Sequence, residues 1–160
     1  MDLNKDWQKI REHFNKSFST SLHVSIASLD ETHHPTLTPI GSLFLNNDQT
    51  GFYFEKFPSK LPKYAGINKH VCLLGVNSSR WFWIKSLIKG RFTTNPAIRL
   101  YGELGTLRKA TDVELSRLKR RMRFTHRLKG HKYLWGKMDQ VREISFYHVE
   151  PINLGKMTKD

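Results

Sequence analysis

HVSIASLDETHHPTLTPIGSLFLNNDQTGFYFEKFPSKLPKYAGINKHVCLLGV, from His23 to Val76, decides the fold. Val24, Ile26 and Ser28 alternate with His23, Ser25, Ala27 and Leu29, and the small residues blur the pattern as in a strand covered on both faces. DETHHP supplies turn chemistry through Asp30 and Pro35, so a hairpin leads into Thr36–Leu45 (TLTPIGSLFL). That second strand carries Pro39 and Gly41. Proline cannot donate to a ladder and glycine admits a close neighbour, so an edge, a bulge or a binding site is expected there. NNDQTG turns the chain into a short strand, Phe52–Glu55, and His70–Val76 is a further buried strand.

Between those two strands lies a basic helix start. Ser59 is a natural N-cap and Pro62 falls in the first turn, where its missing N–H costs nothing. Lys56, Lys60 and Lys63 surround unpaired amides and the positive end of a helix dipole, a combination that receives a phosphate.

Outward from this stretch, Leu3, Trp7, Ile10 and Phe14 give an N-terminal helix one apolar stripe. Ile98–Leu107 reads as a long strand with Gly102 and Gly105 at bulges. Thr111 and Glu114 have capping-box spacing, and a strongly basic helix is expected from there toward Gly130. On it, Leu115, Leu118 and Met122 face the core, while Lys119, Arg120, Arg121, Arg123 and Arg127 face outward. Arg142–Val149 is the last strand, with Ile144 and Phe146 inward. The expected chain is mainly β with flanking helices in a single domain: 1–20 as helix and connector, 21–150 as the domain proper with the basic helix near 112–130, and 151–160 as a tail.

Composition narrows the function. The chain has 160 residues, 38% hydrophobic and 12% aromatic, enough for a packed core. No apolar run is long enough to span a bilayer, and residues 1–20 are charged rather than leader-like. Cys72 is the only cysteine, expected as a buried thiol in a reducing cytoplasm. Twenty-seven Lys and Arg against fourteen Asp and Glu give +13, and neither 56–102 nor 117–137 contains a carboxylate. Such a field attracts phosphates, nucleic acids or anionic lipid. The basic helix is the nucleic-acid candidate, without a recognition fold to read sequence. His33 and His34, or His126 and His131, lack zinc-type pairing with carboxylates, and no metal site is expected. No close carboxylate pair, nucleophile elbow or P-loop occurs.

Strand order over about Ser21–Val149, with the runs TPIGSLFL, YFEKFP, RWFW and LYGELG, resembles the FMN-binding split barrel of the pyridoxamine 5'-phosphate oxidase-like superfamily. The resemblance implies an antiparallel split β-barrel, an FMN cofactor and a homodimer with cofactor sites at the subunit interface. It places the FMN phosphate at Ser59 and Lys60, with Lys56 and Lys63 nearby. Ser59-Lys60-Leu61 stands where the family commonly has Ser-Arg-Lys. It places the ring among Thr38, Pro39, Ile40, Gly41, Ser42, Phe54 and Glu55. Trp81, with Phe82 and Trp83, is either a lid over that ring, a segment seeking anionic lipid, or a dimer or core contact. Members that oxidise pyridoxamine phosphate hold substrate with an Arg and a His near the C-terminus. VEPINLGKMTKD has no Arg-x-His pair, and His148 is the only histidine nearby. A flavin-dependent oxidoreductase acting on another substrate is implied, with haem or a deazaflavin as the other cofactors of the superfamily. A flavin- or haem-binding module without turnover and a basic nucleic-acid-binding protein are the alternatives.

Overall fold

The computed structural model describes residues 1–56, 61, 63 and 65–158. The helix start expected at Ser59, Lys60 and Pro62 lies outside them. Leu61 and Lys63 are helical, and Leu61 is fully buried.

The described residues form α1 (Trp7–Ser21), β1 (Val24–Leu29), β2 (Pro35–Ile40), β3 (Leu43–Leu45), β4 (Thr50–Phe54), β5 (His70–Val76), α2 (Arg80–Lys89), β6 (Ala97–Lys109), α3 (Asp112–Arg121), α4 (Lys129–Trp135) and β7 (Gln140–Pro151). Short 3-10 turns occupy Arg123–Thr125 and Gly155–Met157. All strand pairs are antiparallel, in the order β2-β1-β5-β6-β7-β4-β3.

That order dictates the shape. β2 and β3 are opposite edges of the sheet, yet only Gly41 and Ser42 separate them. Three virtual bonds reach at most about 11 Å, from Ile40 to Leu43. Laid flat, the edges of seven strands would lie about 29 Å apart. The sheet therefore curls until its edges meet, as a split barrel.

The strand expected as Thr36–Leu45 is thus two strands. Up to Ile40 it pairs with β1, and from Leu43 it pairs with β4. Pro39 is tolerated because β2 is an edge. The bulges fall as expected, with register shifts between Tyr101 and Gly102 and between Leu104 and Leu107. At the first, a Cβ on Gly102 would stand 2.7 Å from the Ser145 carbonyl oxygen, so only glycine fits.

Trp7, Ile10 and Phe14 of α1 plug the curled sheet against Ile26, Leu73, Leu100 and Ile144. The Trp7 indole N–H donates to the Asn46 carbonyl at 2.9 Å. A second cluster joins Phe44, Phe52 and Phe54 to Leu118 and Met122.

Three expectations are corrected. The basic helix does not run to Gly130: α3 ends at Arg121, and a 3-10 turn separates it from α4. Arg121 does not face outward but folds back over Phe44 and donates to the Leu43 carbonyl. Cys72 is half-buried, because β5 turns it to the outer sheet face opposite Ala27 and Tyr101.

Candidate functional site

The corner where the barrel closes gathers most of the predicted residues. Thr38, Pro39 and Ile40 end β2, Gly41 and Ser42 make the crossing, and Phe54, Glu55 and Lys56 leave β4. Buried Ser42 ties the two sides: its Oγ donates to the Phe54 carbonyl at 3.1 Å and accepts from the Phe54 amide at 3.2 Å.

Gly41 has a specific neighbour. A Cβ there would lie 2.9 Å from Cη2 of Trp135 and 3.3 Å from the Leu22 carbonyl oxygen. The close approach expected at this glycine is filled by an indole at the end of α4. Lys56 holds that helix end in place: its ammonium donates to the carbonyls of Tyr133 and Gly136, both at 2.6 Å. A cation belongs there, since the last carbonyls of a helix are unpaired and carry the negative end of the dipole.

Glu55 is engaged from both sides. The Arg142 guanidinium donates to its two oxygens at 2.7 and 3.0 Å, and the Tyr53 hydroxyl donates at 2.8 Å. The Glu55 and Arg142 side chains are 11% and 13% exposed, so this bidentate pair is largely shielded from solvent. Burial, then the Glu55 charge, pushes the Tyr53 phenol far up and keeps it a hydrogen-bond donor. The Glu55 bond also raises Arg142.

The remaining predicted residues are dispersed. Lys63 forms an exposed ion pair with Glu31 at 3.3 Å. Trp81 is on α2 and 70% exposed, while its neighbours Phe82 and Trp83 pack on Phe92. Ser79 caps α2 by accepting from the Phe82 amide, and Gly90 ends it with φ of 65°. Ser59 and Lys60 lie outside the described residues. Sequence reasoning missed Trp135, Tyr133, Gly136 and Arg142 as parts of this corner. Their partners are 77 to 87 residues away in sequence for Lys56 and Glu55, and no local pattern signals such pairs.

Solved structures share this strand topology. An FMN-binding protein from Syntrophomonas wolfei subsp. wolfei matches with TM-score 0.59 and 14% identity, over 95% of this chain and 95% of that one. A candidate pyridoxamine 5'-phosphate oxidase from Lactobacillus delbrueckii matches with TM-score 0.52 and 16% identity, over 87% and 90%. The fold is the split barrel that these structures share. HutZ, the heme storage protein from Vibrio cholerae, has the same split barrel, with TM-score 0.54 and 9% identity over 94% and 95%. No protein-family model matches the sequence, and no curated protein does. No helix among the described residues of this split barrel is long and apolar enough to cross a membrane.

Proposed function

We propose that this split barrel binds FMN at the β2–β3 corner, between two copies of the chain, and acts as a flavin-dependent oxidoreductase. The observation that supports the reading is Gly41 at the β2–β3 crossing, whose missing side chain lets a flat ring, that of Trp135 in this chain, lie against the backbone. Thr38–Ser42 and the backbone at Phe54 would hold the ring, and Ser59 and Lys60 the phosphate; Lys56, committed to the end of α4, and Lys63, paired with Glu31, would add charge nearby. Glu55, locked by Arg142, keeps the end of β4 in one geometry. FMN, when bound, supplies hydride chemistry, and the chain contributes anchoring, orientation and exclusion of water.

The outer sheet face supports a second copy as partner. Leu37 is 68% and Tyr147 53% exposed there, beside exposed Pro39 and half-buried Cys72 and Leu74. An apolar strip of this kind favours contact over solvent. Exposed Trp81 is free of a ring contact with Phe92, unlike Phe82 and Trp83, and is available to cover a ring as a lid.

The likeness to HutZ favours a second reading, a haem-binding module without turnover. The absorption spectrum separates the two. Purified protein should be yellow, with a flavin band released on denaturation and bleached anaerobically by NADH or NADPH. Lys60→Glu should abolish FMN retention and leave circular dichroism unchanged. A Soret band would give the site to haem, and colourless protein that takes up neither added FMN nor haem would overturn both.

A further inference from the structure

α1, β3 and α3 enclose an open groove of about 930 Å³ that contains none of the residues predicted from the sequence to bind cofactor. Five arginines line it: Arg11, Arg117, Arg120, Arg121 and Arg123. No Asp or Glu does.

Two of these arginines have a structural task. β3 is an edge strand, and Arg121 and Arg117 donate to its Leu43 and Leu45 carbonyls, where another strand would otherwise pair. Arg117 also donates to Asn46 Oδ1 at 2.8 Å. Both stack on Phe44, with guanidinium carbons 3.6 and 5.1 Å from its centroid, so these cations are at most about 9 Å apart. Burial, then the Arg117 charge, pushes Arg121 down to about 10. Burial lowers Arg117 as well, followed by the charge of Arg11.

The edge strand does not account for the rest. Arg11 uses one terminal nitrogen on Gln8, and its Nε is buried with no partner among the described residues. Arg120 and Arg123 are exposed. Among the described residues, none of the five arginines has a carboxylate partner. The carboxylate nearest Arg117 in sequence, Glu114, is taken by Arg108 in a two-pronged pair at 2.8 and 2.9 Å, and Glu12, next to Arg11, accepts from Gln8 at 2.9 Å. Three half-buried and two exposed arginines without a carboxylate ion pair, around a groove of ligand size, are matched by an anion of high charge density with acceptors on several sides.

We propose that the groove between α1, β3 and α3 binds a small molecule carrying two or more phosphate groups, with Arg11, Arg120 and Arg123 supplying the donors that the fold leaves unused. Phe44 and Phe18 hold Arg117 and Arg121 by their faces, so these two cations are fixed before the ligand arrives. Fixed cations discriminate by charge density. A pyrophosphate or triphosphate bridges them, and a monophosphate reaches fewer.

Isothermal titration calorimetry with inorganic pyrophosphate, ADP, ATP and AMP on the full chain tests this. Pyrophosphate, ADP and ATP should bind at least tenfold more tightly than AMP, and more weakly as salt rises. Arg11→Gln and Arg120→Glu, remote from the β3 carbonyls, should each weaken ATP at least tenfold at unchanged melting temperature. Lys60→Glu should leave ATP binding intact, which separates this site from the FMN reading. If Arg11→Gln unfolds the chain, Arg120→Glu and Arg123→Glu carry the test. Absence of ATP and pyrophosphate binding at millimolar concentration would overturn the proposal. So would equal weakening by Lys85→Glu on α2, the signature of general charge. A single-stranded oligonucleotide bound through the same arginines and not displaced by triphosphate would give the groove to nucleic acid instead.

Discussion

Glu114→Gln tests how the arginine-bearing helix is held. The Glu114 carboxylate receives two bonds from Arg108 and accepts from the Thr111 amide at 2.8 Å, while the Thr111 hydroxyl accepts from the Glu114 amide at 3.3 Å. The residue is 8% exposed. The Arg108 bonds come first among the forces that lower its pKa, from 4.5 to about 2, with the Thr111 bonds adding and burial opposing. A carboxyl depressed in the folded state stabilises it above the unfolded value and loses that contribution as pH falls. Each unit is worth about 1.4 kcal/mol, so the ionised group contributes on the order of 3 kcal/mol at neutral pH, fading between the unfolded pKa and the folded one. Glutamine keeps the shape and an acceptor for the Thr111 amide but removes the charge, leaving Arg108 to Glu143 alone. Urea unfolding followed by tryptophan fluorescence should show the variant about 2–3 kcal/mol less stable at pH 7. At pH 3.5 the gap should have narrowed by about 1.4 kcal/mol. A gap under about 0.5 kcal/mol at pH 7, or one equally wide at both pH values, would refute the reasoning.

Two further outcomes follow from the corner and from α1. Gly41→Ala should cost about 1–2 kcal/mol in urea, because its methyl meets the Trp135 ring. In a Trp135→Ala background the same change should cost less than half as much, and strict additivity would show that the indole is not the obstacle. The half-buried His13 donates its Nε2–H to the Gly75 carbonyl at 2.8 Å, and burial lowers its pKa below the ordinary value of 6.5. The folded state therefore holds fewer protons than the unfolded one below pH 6.5, and stability should fall from there until the lower native pKa is passed. Comparing urea midpoints at pH 7.5 and 5.5, wild type should lose more than His13→Gln, and parallel losses would refute it.

How much was legible depended on the range of the interaction. Leu3, Trp7, Ile10 and Phe14 announced α1, Gly102 and Gly105 the bulges of β6, and Thr111 with Glu114 the start of α3, because each signal lies within a few residues. The corner was half legible. Pro39 and Gly41 marked an irregular strand, yet whether they meant an edge, a bulge or a ligand depended on what lay opposite, and that is Trp135. Arg121 was misplaced for a related reason. Helical spacing assigns a side chain to a face, but a long guanidinium can turn back over an aromatic ring to reach a carbonyl that only tertiary structure brings near.

The order of hydrophobic runs and turns was enough to determine the kind of protein: antiparallel strands, capped helices and a basic surface. The tertiary structure alone decided that one strand would break at Gly41 and Ser42 and serve both edges of the sheet. It also chose Arg142 for Glu55, α4 for Lys56, and a shared groove for arginines from two helices. Periodicity and caps are written in neighbouring residues, whereas closure of a curled sheet and the choice of partner for a charge depend on which distant surfaces meet.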